Sequence, residues 1–85
     1  MKVTIRFFAS LKEILKTDRL ELDLPNEIKT IGDLRQLLAQ KDHYWGEAFS
    51  SNKNIRAAQS MVMVSPNTLI EEGAEIAFFP PVTGG

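Results

Sequence analysis

At 85 residues, 44% hydrophobic and 25% charged, the chain has the size of one small globular domain and is too short to enclose a large active site. A net charge of −1 offers no global basic field for nucleic acid or an anionic membrane, and no run approaches the roughly 20 apolar residues of a membrane span. Cysteine is absent, which removes disulfides, thiolate metal ligands and a thiol nucleophile together. The first residues lack the basic-then-apolar layout of a signal peptide, so the expected location is the cytoplasm.

Residues 2–8 alternate, with Val3, Ile5 and Phe7 against Thr4, Arg6 and Phe8, which predicts a strand with one buried face. Ser10 and Glu13 have capping-box spacing, and with Leu11, Ile14 and Leu15 they predict a short helix ending near Thr17 and Asp18. Residues 19–24 alternate again, a second strand closed by Pro25 and Asn26. Thr30 through Asp33 reads as another helix cap, followed by an apolar stripe of Ile31, Leu34, Leu37 and Leu38 suited to lie across a sheet. Residues 42–46 interrupt that pattern. A turn and a short helical piece are expected there, with Tyr44, Trp45 and Phe49 forming a satellite core. Residues 50–54 read as a loop. Residues 55–58 and 61–64 predict two short strands broken at Gln59 and Ser60, with turns at 65–67 and 71–73, where Gly73 is free to take positive φ. Residues 74–79 form the last strand, stopped by Pro80 and Pro81, which donate no N–H to a ladder.

This order predicts an α+β fold: a mixed sheet with a helix across one face. A crossover helix between the halves allows the first and last strands to pair in parallel at the centre, the β-grasp or ubiquitin-like arrangement. Residues 1–79 make the domain and residues 80–85 a C-terminal tail.

If Val3, Ile5, Phe7, Val62, Val64, Ile76 and Phe78 face the helix, alternation sends Phe8, Met61, Met63, Ala77 and Phe79 to the other face. A contiguous Phe and Met surface of that kind marks a partner interface, and methionine adds adaptability to it. Residues 1–20 carry five basic and two acidic side chains, whereas residues 66–85 carry only Glu71, Glu72 and Glu75. Pairing of the two ends would make these charges locally complementary. Lys2, Arg6, Lys12 and Arg19 have no interleaved aromatics and read as a solvated face rather than a nucleic-acid groove. His43 stands without a companion base or ligand and reads as a solvated turn residue.

The six residues Pro80-Pro81-Val82-Thr83-Gly84-Gly85 span at most roughly 20 Å when extended. The proline pair stiffens the base, and Gly84 and Gly85 have no side chains to keep them out of a narrow channel. A carboxylate is a poor acyl donor until activated, for instance as a mixed anhydride with AMP. With cysteine absent, the terminal carbonyl of Gly85 is the candidate reactive group.

With Phe7-Phe8-Ala9 at the start, Glu72-Gly73-Ala74-Glu75-Ile76 before the last strand and Phe78-Phe79-Pro80-Pro81-Val82-Thr83-Gly84-Gly85 at the end, the chain resembles the small subunit of molybdopterin synthase. The resemblance spans essentially the whole sequence and implies a sulfur carrier. In that family the terminal glycine is adenylated by an E1-like adenylyltransferase that consumes ATP, converted to a thiocarboxylate with sulfur from a donor, and inserted into the large synthase subunit. There it gives sulfur to cyclic pyranopterin monophosphate. Carried over, the resemblance makes Gly85 the sulfur-bearing residue and Gly84 the slim neck behind it. It also sets Phe8, Met63 and Phe79 against the large subunit, within the face that Met61 was assigned to above. No stably bound cofactor is implied, and the family pattern is a heterotetramer with the large subunit. Ala58-Gln59-Ser60 departs from the family, whose members often carry Val-Asn after the alanine. A sulfur carrier for thiamine synthesis or tRNA thiolation, a protein modifier joined to lysines, and an adaptor with an inert tail are the rival readings; the Phe-Phe-Pro-Pro run favours molybdopterin.

Overall fold

The computed structural model describes residues 1–50 and 53–81, so the predicted tail residues Val82, Thr83, Gly84 and Gly85 lie outside the described residues. The elements are β1 (Lys2–Phe7), α1 (Ala9–Leu15), β2 (Arg19–Asp23), α2 (Ile31–Ala39), α3 (His43–Ala48), β3 (Arg56–Gln59), β4 (Val62–Val64) and β5 (Glu75–Phe79). They build one five-stranded sheet in the order β2-β1-β5-β3-β4. β1 and β5 pair in parallel, Ile5 opposite Ile76 and Phe7 opposite Phe78, while the remaining neighbours are antiparallel. This is the expected β-grasp. No helix among the described residues is long and apolar enough to cross a membrane.

Alternation in the two central strands creates the core. Val3, Ile5 and Phe7 of β1 and Ile76 and Phe78 of β5 are buried in one cluster with Leu34 and Leu38 of α2. Leu11 and Leu15 of α1 and Trp45 of α3 join the same cluster, so all three helices pack on one side of the sheet. The satellite core expected around Trp45 and Phe49 is instead part of this main core. The Phe7 ring lies 5.3 Å from Trp45 and 6.0 Å from Phe49, and Phe49 lies 5.3 Å from Phe78. Such edge-to-face contacts add to the area buried by each ring. Tyr44 is the exception, 70% exposed, because a helix of six residues turns only one stripe inward.

The α2 cap is realised as expected. Thr30 Oγ1 accepts from the Asp33 N–H at 3.1 Å, and the Asp33 carboxylate accepts from the Thr30 N–H at 3.1 Å. Hydrogen bonds from the Lys29 and Thr30 N–H groups hold the Asp33 carboxyl below its ordinary pKa. Gly32 lets the helix start press on the turn at Pro66, whose carbonyl would lie 3.2 Å from an added Cβ. The capping box expected at Ser10 is absent. Phe8, extended and still bonded to the last strand through its N–H, takes the cap position itself with no side-chain hydrogen bond, so Ser10 falls inside the first turn.

The β3–β4 hairpin also departs from expectation. The break falls at Ser60 and Met61, one residue later than predicted, and both residues have positive φ (50° and 70°). Two-residue hairpins of this hand favour Asn-Gly, and a side-chain-bearing residue in the left-handed region costs roughly 1–2 kcal/mol. Gln59 consequently stays in β3, 6% exposed, and its side-chain amide closes a clasp. Nε2 donates to the Leu69 carbonyl at 3.1 Å, and Oε1 accepts from the Glu71 N–H at 2.9 Å. Gln59→Leu should therefore cost about 1–3 kcal/mol by leaving both backbone groups unpaired, read as a lowered urea midpoint. Val62, assigned to the core from its parity, is 64% exposed, because β4 is a three-residue edge strand and the residue sits beside the turn. Gly73 takes the expected positive φ, 76°.

Candidate partner-docking face

Because the helices share one side of the sheet, the register defines what stands on the other. Arg19, Arg6, Ala77, Ala58 and Met63 are successive partners across all five strands and form one row of that outer face. Phe79 stands in the next row beside Arg56, at the end where β5 gives way to the prolines. Phe8 extends the parallel ladder by one bond, its N–H donating to the Phe78 carbonyl at 3.2 Å. Its ring, 40% exposed, lies 5.3 Å under the Arg6 guanidinium. Phe8, half-buried Phe79 and Met63, 56% exposed, thus border a continuous band completed by Ala77 and Ala58. Met61 is not in that band. It is 95% exposed in the hairpin turn, beside the start of β5 and at the opposite end of the sheet from Phe79.

The base of the tail has a second side. Pro80 and Pro81 are half-buried and line a shallow groove of about 360 Å³ with Leu11, Ile14, Ala48 and Ile55. Sequence reasoning set Ile14 with Leu11 and Leu15 on one apolar stripe. In a helix of seven residues only Leu11 and Leu15, four apart, reach the core, and Ile14 remains 55% exposed on the flank beside the prolines. The loop before β3 is held by Arg35 of α2, which donates to the carbonyls of Phe49, Ser50 and Lys53 at 3.1, 2.6 and 2.7 Å. Burial pushes the Arg35 guanidinium down from its ordinary pKa. His43 begins α3 and is exposed, as anticipated.

The charges expected to be complementary between the chain's two ends do not meet as side-chain pairs. Across the parallel pair Arg6 faces Ala77, and across the antiparallel pair it faces Arg19. Like charges directly opposite are destabilising, on the order of 0.2–1 kcal/mol. Asp18 offsets part of this, 3.4 Å from Arg6 Nη2 and 3.9 Å from Lys12 Nζ. Arg6 Nε is buried with no acceptor among the described residues. Sequence reasoning named Arg6 and Arg19 only as solvated cations. Their juxtaposition follows from strand register, for which residue spacing carries no direct signal.

With the geometry in place, similarity to known proteins becomes informative. Residues 5–85 match the model of the ThiS family. The chain belongs to the ThiS family. The Escherichia coli protein named molybdopterin synthase sulfur carrier subunit is 38% identical over 85 residues, covering 98% of this chain and 99% of that one. Among solved structures, the small archaeal modifier protein 1 of Haloferax volcanii superposes with a TM-score of 0.73 at 21% identity, covering 95% of this chain and 98% of that one. Subunit 1 of the Helicobacter pylori molybdopterin-converting factor, solved in complex with subunit 2, superposes with a TM-score of 0.67 at 24% identity over 100% of both chains. At such identities the ThiS-family member and these structures share the fold, which serves carriers and modifiers alike.

Proposed function

We propose that this ThiS-family member is the sulfur-carrying subunit of a molybdopterin synthase. The observation that carries the proposal is its full-length similarity to the E. coli carrier subunit. The cysteine-free composition and the Gly-Gly end agree with it. In this role the folded domain is a non-catalytic handle and the Gly85 carboxylate does the chemistry. An E1-like enzyme joins that carboxylate to AMP from ATP, releasing pyrophosphate. Sulfur from a donor then displaces AMP to leave a thiocarboxylate. Inside the large subunit the thiocarboxylate gives its sulfur to cyclic pyranopterin monophosphate and returns to a carboxylate. ATP belongs to the activating enzyme, and the carrier itself needs no resident cofactor.

The band of Phe8, Ala77, Phe79, Ala58 and Met63 suits docking to the large subunit, since it lies at the base of the tail and no helix packs on it. The Helicobacter pylori subunit pair offers a precedent in the same fold. Incubation with an E1-like enzyme, ATP and a sulfur donor is expected to raise the intact mass by the difference between sulfur and oxygen, located to Gly85 by peptide mapping. An unchanged mass with an enzyme active on another carrier would sink the proposal. Isopeptide-linked lysine adducts in cells would point instead to a protein modifier.

A further inference from the structure

The outer face is electrically divided along its length. Arg6, Arg19 and Arg56 stand at the end that holds Phe8 and Phe79, where exposed Asp18 lies 3.4 Å from Arg6 and exposed Glu21 reaches Arg19 at 3.9 Å. Asp23 and Glu75 stand toward the other end, where Asp23 faces Lys2 across the strands and holds the amino terminus at 3.1 Å. Strand β1 supplies the cation and β5 supplies alanine opposite it, so the arginines of this end are met by the exposed carboxylates of Asp18 and Glu21 at long distances and not by the acidic residues of the last segment.

Three features of this end are costs that the isolated domain has no use for. Two arginines face each other directly across antiparallel strands. One carboxylate is shared between Arg6 and Lys12 at long distances. Arg6 Nε is buried with no acceptor among the described residues, while its guanidinium carbon lies 5.3 Å from the centre of the Phe8 ring. A guanidinium beside an aromatic ring, bound to one exposed carboxylate at long distance, keeps its outward N–H groups able to pair with a further carboxylate.

We infer that Arg6 and Arg19, with Arg56 beyond Phe79, form a basic rim around the apolar band, and that the partner seated there presents carboxylates around an apolar seat. The inference rests on the function proposed above, which makes that partner the large synthase subunit. Aspartate or glutamate of the large subunit pairs with the outward Nη groups of Arg6 and with Arg19 and offsets their mutual repulsion. Recognition by complementary charge acts mainly on the rate of encounter and on rejection of wrong partners, and the apolar centre supplies the lifetime of the complex. Its signature is a salt-dependent association rate.

The test compares the wild-type carrier with Arg6→Gln, Arg19→Gln, their double variant and Arg19→Glu, using stopped-flow association with the large subunit at several salt concentrations. Urea unfolding of each free carrier runs alongside. Arg19→Gln is expected to raise the urea midpoint, because it removes the repulsion. The double variant should associate about tenfold more slowly at low salt and lose most of its salt dependence. Arg19→Glu should slow association further. Folded variants with unchanged association rate and salt dependence would overturn the inference. Slowed adenylation by the E1-like enzyme with synthase association intact would also overturn it, assigning the rim to the activating enzyme. A wild-type carrier that fails to bind the large subunit at all would overturn both the rim and the function on which it rests. Strong wild-type binding that Phe79→Asp abolishes and the arginine variants leave untouched would remove the rim alone.

Discussion

Phe78→Ala is expected to be among the most destabilising single substitutions in the domain. The side chain is 1% exposed, its ring lies 5.3 Å from Phe49 and 6.5 Å from Phe7, and it sits on a strand paired on both sides. Truncating a buried Phe to Ala costs roughly 3–5 kcal/mol in lost transfer energy and cavity formation. Stability of about 0.05–0.15 kcal/mol per residue allows a chain of this length only about 4–13 kcal/mol in all. A strongly lowered urea midpoint, with an altered near-ultraviolet circular dichroism signal from the aromatic cluster, is the expected readout. An unchanged midpoint would mean that the aromatic cluster is not the centre of the core.

One residue along, the consequence is expected to be opposite in kind. Phe79→Asp should fold, since the side chain stands half-buried on the outer face, beside Arg56 and away from the helices. The cost to the free domain is expected to be about 1 kcal/mol, through lost strand preference. Association with the large subunit should weaken by about a hundredfold or more, because a central aromatic anchor commonly carries 2 kcal/mol or more of binding energy and the introduced carboxylate must be desolvated. Titration calorimetry on a variant shown to be folded by circular dichroism decides the matter. Unchanged affinity would remove this face from the interface. Phe78 and Phe79 are chemically identical neighbours, and strand parity alone turns one into the core and the other onto the outer face.

Much of this architecture was legible because it rests on local periodicity. The alternation of Val3, Ile5 and Phe7, the Thr30 and Asp33 cap and the apolar run ending at Phe79 predict β1, α2 and β5 to within a residue or two. Misreadings arise where tertiary contacts override local chemistry. Ser10 and Glu13 carry a cap signal that Phe8, in the cap position itself, pre-empts. Ser60 and Met61 lack the residues a tight turn prefers, yet pairing of Gln59 with Ile76 and with Val62 forces the chain to reverse there. That shift of one residue removes Met61 from the outer face and makes Gln59 a buried clasp. Trp45 and Phe49 reach the main core because α3 is capped by Asp42, whose side chain accepts from the Trp45 N–H at 3.0 Å and starts the helix where Trp45 turns inward. The facing arginines depend on register between strands separated by a helix, information that no short window of sequence contains.

The position of β5 bears on how the protein is made. It is last of the strands in sequence but lies between β1 and β3, pairing Ile5 with Ile76 across nearly the whole chain. Until residues 75–79 have been synthesised, β1 with β2 and β3 with β4 are two separate two-stranded pieces, marginal on their own in water. A polypeptide cut short ahead of Glu75 therefore has no sheet with which to engage a partner. The central place of β5 thus makes closure of the sheet wait on synthesis of the final strand, so folding of this chain is expected to be largely post-translational.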